Sequence, residues 1–214
     1  MAPSGVTKAQ IEAAKRLHDR LDGWVLTAQV FAEVRRAYPS NTEPKSVLLK
    51  ATLIDRLYAT NVFAINAAVR HIVETFVNRP PNTDGRELVS RLSRFPVGGR
   101  THTSFASKYA HFFLDDSLPI LDTYAARMLA IHLVVPQTHI KWWTADYRLY
   151  CKNIDELLAL SEATPTAREL DHYLWLAGLW ISFQKGKTKI NTEARGLFAS
   201  QDPDLLIAFT KLTG

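Results

Sequence analysis

A single cysteine, Cys151, stands among 214 residues. One thiol excludes an internal disulfide framework and any cysteine-ligated cluster within the chain. Long apolar runs are also missing. None approaches the ~20 residues needed to span a bilayer, and the opening Met-Ala-Pro-Ser-Gly lacks the basic-then-apolar order of a signal peptide. The expectation is therefore a soluble, cytoplasmic protein without a membrane partner. No Gly-x-Gly-x-x-Gly or P-loop sequence occurs, and His18, His71, His102, His111, His132, His139 and His172 form no HExxH or paired ligand spacing. His111 and Asp115 stand at i, i+4, a spacing common by chance, so no metal and no cofactor are expected. Convincing strand pairs are absent as well.

What the chain does have is helical periodicity, almost throughout. Thr7 to Leu21 sets Ile11, Ala14, Leu17 and Leu21 on one stripe, and Trp24 to Tyr38 repeats the pattern before Pro39. Pro44 suits the first turn of a third helix, 45–58, which a tight turn at Ala59-Thr60 joins to a fourth over 61–78. Breakers at Pro80-Pro81 and Asp84-Gly85 precede a short helix, 86–94, and Pro96 with Gly98-Gly99 breaks the chain again. Further helices are predicted at 102–113, 122–133, 140–161, 166–184 and 190–212, the last restarting at Asp202-Pro-Asp204. Leu133-Val-Val135 favours extended backbone. Tyr173 to Phe183 is apolar on most sides, as a central core helix is, with a pocket role for Trp175 or Trp180 as the other use of that segment. The fold class is all-α. Lys and Arg number 26 against 21 Asp and Glu, a formal charge of +5. That mild basic excess suits a polyanionic partner without identifying one.

Chemistry concentrates between Phe95 and Met128. A Gly-containing turn leads into a small-residue helix, Thr103-Ser-Phe-Ala-Ser-Lys108. An acidic loop, Asp115-Asp-Ser117, then runs into Leu118-Pro-Ile-Leu-Asp-Thr123. Pro119 makes the approach extended, and Asp122 falls where the next helix begins. A carboxylate there either caps the helix by accepting a backbone N–H bond or faces a cleft as a catalyst.

The run Leu118-Pro119-Ile120-Leu121-Asp122-Thr123, with Arg127 five residues after the acid, resembles the helix-hairpin-helix (HhH-GPD) DNA glycosylase superfamily. Its members carry apolar-Pro-apolar-apolar-Asp-(Thr or Gly) before a helix with an Arg at that offset. Upstream, Tyr58-Ala-Thr-Asn61 before an apolar helix is similar to the family's Gln-Ala-Thr-Asp turn, whose Gln wedges into the base stack. The two ordered matches span residues 48–132. The resemblance implies a two-lobed helical bundle formed by the single domain 1–214. Its central lobe would be residues 45–135, and helices from 1–44 and 136–214 would form the second lobe. It also implies Asp122 as catalytic carboxylate, with Tyr58 and Asn61 at the wedge and acid positions of the turn. An aromatic wedge fills the gap left by a flipped nucleotide by stacking.

Departures from the family pattern narrow the expectation. The Leu-Pro-Gly-apolar-Gly hairpin that grips a phosphate has diverged to Gly98-Gly99-Arg100-Thr-His102, where glycine amides, Arg100 and His102 are the candidate DNA contacts. The alternative is a plain turn. The family's Schiff-base lysine aligns with Ser104, itself a candidate DNA contact, which implies hydrolysis without strand cleavage. Lys108, one helical turn on, is a candidate catalytic or phosphate-contacting residue, or a structural ion-pair partner. The four cysteines of cluster-bearing members are absent. The implied function is excision of a flipped, damaged or modified base from double-stranded DNA by a monomeric enzyme, in base-excision repair or defence against modified phage DNA. The alternative is a non-catalytic helical DNA-binding or protein-interaction module.

Overall fold

The structure, a computed structural model, describes residues 2–62, 64–80, 82–95, 99–187 and 190–209. Among them every regular element is helical. In chain order they are α1 (Lys8–His18), α2 (Asp22–Ala37), α3 (Pro44–Tyr58), α4 (Ile65–Val77), α5 (Gly85–Leu92) and α6 (Thr103–Phe113). Then follow α7 (Thr123–His132), α8 (His139–Ala145), α9 (Tyr147–Leu160), α10 (Ala167–Gln184), α11 (Thr192–Ala199) and α12 (Pro203–Phe209). The all-α class read from periodicity holds. No described helix is long and apolar enough to cross a membrane.

Side-chain caps set many of the helix starts. Thr7 and Gln10 form a reciprocal capping box at α1, and Thr166 with Glu169 does the same at α10. Asp84, Asp122 and Asn191 each accept the third backbone N–H of α5, α7 and α11. These bonds satisfy amides that have no intrahelical partner.

Two local expectations give way to capping chemistry, and a third, the restart within 190–212, holds. The span 140–161 is two helices, because Asp146 Oδ1 accepts the backbone N–H of Arg148 at 2.9 Å and of Leu149 at 3.3 Å, starting α9 afresh. The span 190–212 likewise divides into α11 and α12. The restart lies where Asp202-Pro-Asp204 predicts it, with Asp202 Oδ1 accepting Asp204 N–H at 2.8 Å. Leu133-Val-Val135 is the C-terminal turn of α7, not extended backbone. Val135 N–H reaches back to Ala130 O at 3.0 Å, and Val134 takes a left-handed φ of 53°. Closing the helix's orphan carbonyls outweighs the β preference of two valines.

The chain divides into two compact units. One comprises Met1–Leu26, Asp122–Ile140 and Lys152–Gly214; the other comprises Thr27–Leu121 and Lys141–Cys151. In the first, α10 is the central element and packs on α7, α1, α11 and α12. A Cβ on Gly178 would lie 2.6 Å from the Tyr124 carbonyl oxygen, so glycine is what lets α10 approach the start of α7 this closely. Trp175 packs on Trp24, and Trp180 on Phe198 and Phe209, which places both tryptophans in aromatic packing.

In the second unit α3 packs on α4 and α6, and α5 bridges α4 and α6. Its anchor is Lys50, 1% exposed, whose ammonium donates to Ser40 O and Asn41 Oδ1, both at 2.7 Å. It lies over the rings of Tyr109 and Phe113. Burial lowers its pKa to about 8, since the surroundings disfavour the charged form. Two carbonyl oxygens compensate by binding the loop before α3 onto that helix.

Candidate active site

Helix α6 is buried along nearly its whole length, which its small residues allow. Three of its buried polar residues, Ser107, Lys108 and His111, fall within about one turn of each other. Buried polar groups require partners, and these find them in the segment Leu118–Leu121, which has no helix or sheet hydrogen bonds of its own. His111 Nδ1 donates to Leu118 O at 2.9 Å. Lys108 Nζ donates to Leu121 O at 3.2 Å. Ser107 Oγ accepts the Leu121 N–H at 3.0 Å.

Helix α9 completes the set. Tyr147 Oη donates to Pro119 O at 2.6 Å and Tyr150 Oη to Ile120 O at 2.9 Å. Both tyrosines are buried. Burial pushes the Tyr147 hydroxyl well above its ordinary pKa, so it remains a proton donor. Each carbonyl of the strap Leu118-Pro119-Ile120-Leu121 is thus held by a different side chain.

The strap ends at Leu121, and the next residue is Asp122. It is half-buried at the N-cap of α7, with φ −134° and ψ 169°. Oδ1 accepts the Ala125 N–H at 2.7 Å. Among the described residues Oδ2 has no hydrogen-bond partner. One oxygen therefore fixes the carboxylate while the other keeps its acceptor capacity.

Lys108 is 3% exposed. Besides Leu121 O it donates to Ser104 Oγ at 2.8 Å and Ser104 O at 3.4 Å, so the Ser104–Lys108 pairing one turn apart is direct. Its ammonium lies 5.5 Å from the centroid of the Tyr58 ring. Tyr58, the last residue of α3, stacks on Phe31 and lies beside Phe112. As it stands, that ring is part of an aromatic cluster.

The turn after α3 is shaped by two left-handed residues, Ala59 at φ 46° and Asn61 at φ 55°. Asp55 ties it down by accepting from Thr60 Oγ1 and Val62 N, both at 2.8 Å. Asn61 is exposed, and its carbonyl accepts from the Arg100 guanidinium at 2.9 Å. The two turns singled out in the sequence therefore meet within one unit.

Gly99 adopts φ 61°, and nothing lies within 4 Å of where its Cβ would be, so the backbone there is open as well as left-handed. His102 is buried, with its ring stacked on Phe95 at 3.9 Å between centroids. Gly98 lies outside the described residues. No cluster able to hold a metal ion occurs among the described residues.

Sequence reasoning missed Ser107, His111, Tyr147 and Tyr150. A signal existed: polar residues at 107, 108 and 111 on an otherwise apolar helix, close in sequence to a proline-containing run with no repeat of its own. The tyrosine pair at 147 and 150, one turn apart, carries the same kind of mark.

The family model HI_0787_N, described as an N-terminal domain, matches residues 9–117. An "Uncharacterized protein" of Haemophilus influenzae is 31% identical over 145 residues, covering 66% of this chain and 70% of that protein. No solved structure matches.

Proposed function

We propose that this chain, which belongs to the HI_0787_N family, is a monofunctional DNA N-glycosylase of the helix-hairpin-helix kind. It cuts the bond between deoxyribose and a flipped, damaged or modified base in duplex DNA and leaves an abasic site. The observation that carries this reading is the strap. Five buried side chains fix four residues of irregular backbone immediately before one carboxylate. A helix cap alone requires only the Asp122–Ala125 bond. The strap fixes the chain up to the residue before the carboxylate, and Asp122 is itself held by its Oδ1 bond to Ala125; preorganised charge is the largest electrostatic contribution an enzyme makes.

The chemistry follows from that geometry. As the N-glycosidic bond breaks, its electron pair leaves with the base and positive charge develops on the sugar. A fixed carboxylate at Asp122 stabilises that charge, increasingly so as bound DNA displaces water. The attacking water adds its oxygen to C1′ and gives its proton to Asp122 Oδ2. Lys108 already donates to Ser104 and to the strap, so in this reading it is a positioning residue. Its amine is engaged by those bonds, which agrees with hydrolysis without strand cleavage.

Gly99, Arg100 and Ser104, with Gly98 and His102 of the same turn, are assigned to the DNA side, and Tyr58 with Asn61 to the gap left by the flipped nucleotide. Tyr58 reaches that gap only by leaving Phe31 and Phe112. The competing reading, a helical DNA-binding or protein-interaction module, draws on Asp122 being a complete N-cap already.

Incubating the protein with duplexes that each carry one alkylated, oxidised, deaminated or glucosylated base, then scoring alkali-labile sites, tests the proposal. Abasic sites on at least one duplex, lost with Asp122→Asn, are expected. Their absence on every duplex, or equal yield from the variant, overturns it.

A further inference from the structure

An open cavity of about 330 Å³ lies along α7 and α10, and Asp122 does not line it. Arg127, Lys185 and Lys187 line it, and among the described residues no acidic one does. Among the described residues, none of these three side chains makes an ion pair or hydrogen bond. Three cations gathered without an acid repel one another, an arrangement that an anionic ligand relieves. Elsewhere in the same unit Arg16 pairs with Asp204 and Lys15 with Glu169.

Apart from Gln137 and Ser182, the remaining walls are apolar. Met128 and Ile131 come from α7 and Ile181 from α10. Ser182, also at the lining, turns its hydroxyl to Gly178 O at 3.0 Å, so it adds little polarity. The volume is at the lower end for ligand pockets and suits a sugar-phosphate unit. Apolar walls accept a deoxyribose, while the cations take the phosphates on either side. Among the described residues no aromatic one lines the cavity, so a stacked base is not what it fits. Lys185-Gly-Lys-Thr-Lys189 continues the basic character in sequence, and Gly186, at φ 69°, turns the chain after α10.

We propose that this cavity receives the phosphodiester backbone of DNA, as a second contact separate from the carboxylate that does the chemistry. The inference rests on the reading of the chain as a DNA enzyme. It concerns affinity and not bond cleavage, so the two fail separately.

Binding of the full chain to a labelled duplex, followed by fluorescence anisotropy from 50 to 300 mM NaCl, tests it. Each phosphate contact contributes roughly 0.9 to the slope of log affinity against log salt. Arg127→Gln/Lys185→Gln/Lys187→Gln should lower that slope by about 2 to 3 and weaken binding at least ~10-fold at 100 mM salt. The double variant at the exposed Lys185 and Lys187 should lower it by about 1 to 2, and it keeps the test valid if the Arg127 change unfolds α7.

An unchanged slope in both variants, or a wild type that does not bind duplex, overturns the proposal. So does displacement of DNA by inorganic phosphate far more strongly than by chloride of equal ionic strength, which marks a free-phosphate site. Base release lost with Asp122→Asn beside unchanged slopes would leave the glycosylase reading standing and this inference refuted. A lowered slope without base release from any duplex would do the reverse.

Discussion

At the scale of single residues, the strap separates two roles that sequence alone leaves merged. Asp122 is a cap by its Oδ1 bond to Ala125, and the same bond presents Oδ2 for other use. Tyr147 tests the contribution of the strap, because its hydroxyl donates to Pro119 O at 2.6 Å. Tyr147→Phe leaves a buried carbonyl unsatisfied and should cost about 1 to 3 kcal/mol in urea unfolding. If the strap positions the carboxylate, kcat for base release should fall about 10-fold or more with KM little changed, since an interaction made in the transition state is what is lost. Equal kcat with only the stability loss would make the strap purely structural. The cap at Asp122 was readable in Leu118-Pro-Ile-Leu-Asp-Thr123. The five side chains that hold the strap were not, because their partners lie up to 30 positions away.

At the scale of elements, periodicity located the helices and failed at their joints. Asp146 divides α8 from α9, and the 133–135 turn closes α7, through bonds that a hydrophobic pattern does not register. Both reflect local capping outweighing propensity. Tyr173–Phe183 was legible as a core helix, yet only the packing explains its glycine. Gly178 sits where a Cβ would be 2.6 Å from the Tyr124 carbonyl oxygen and 2.8 Å from the Tyr124 Cβ. That backbone cannot move without shifting the first turn of α7, which Asp122 caps. Gly178→Ala should therefore destabilise by about 1 to 3 kcal/mol despite alanine's better helix propensity. Thermal or urea denaturation decides it. A stabilised variant would mean that α10 and α7 separate without cost.

At the scale of the whole molecule, buried histidines govern the response to acid. His18 stacks on His172 at 3.5 Å between centroids, and burial lowers its pKa to about 4; Asp19 opposes this and Arg168 adds to it. His132 is also lowered by burial. It donates from Nδ1 to Ser4 O, and Nε2 accepts from Tyr173 Oη, a pattern that requires the neutral ring. The fold binds these imidazoles neutral, whereas the unfolded chain protonates them near pH 6.5. Stability is therefore complete above about pH 6.5 and declines as pH falls toward 4. His18 alone should account for about 2 kcal/mol between pH 7.5 and 5. The carboxylates lowered by partners, Asp115, Asp204 and Glu169, lose their contribution only at still lower pH. Urea midpoints at the two pH values check this, and a flat profile that becomes acid-labile in His18→Phe would contradict it.

The rate of base release under single-turnover conditions, compared between wild type and Asp122→Asn, tests the role of this carboxylate most directly. Asparagine caps a helix about as well as aspartate, so the fold and its melting transition should survive the substitution. The account predicts a loss of at least ~100-fold in rate, the scale associated with removing one preorganised electrostatic group. Undiminished release by a folded Asp122→Asn protein would contradict it.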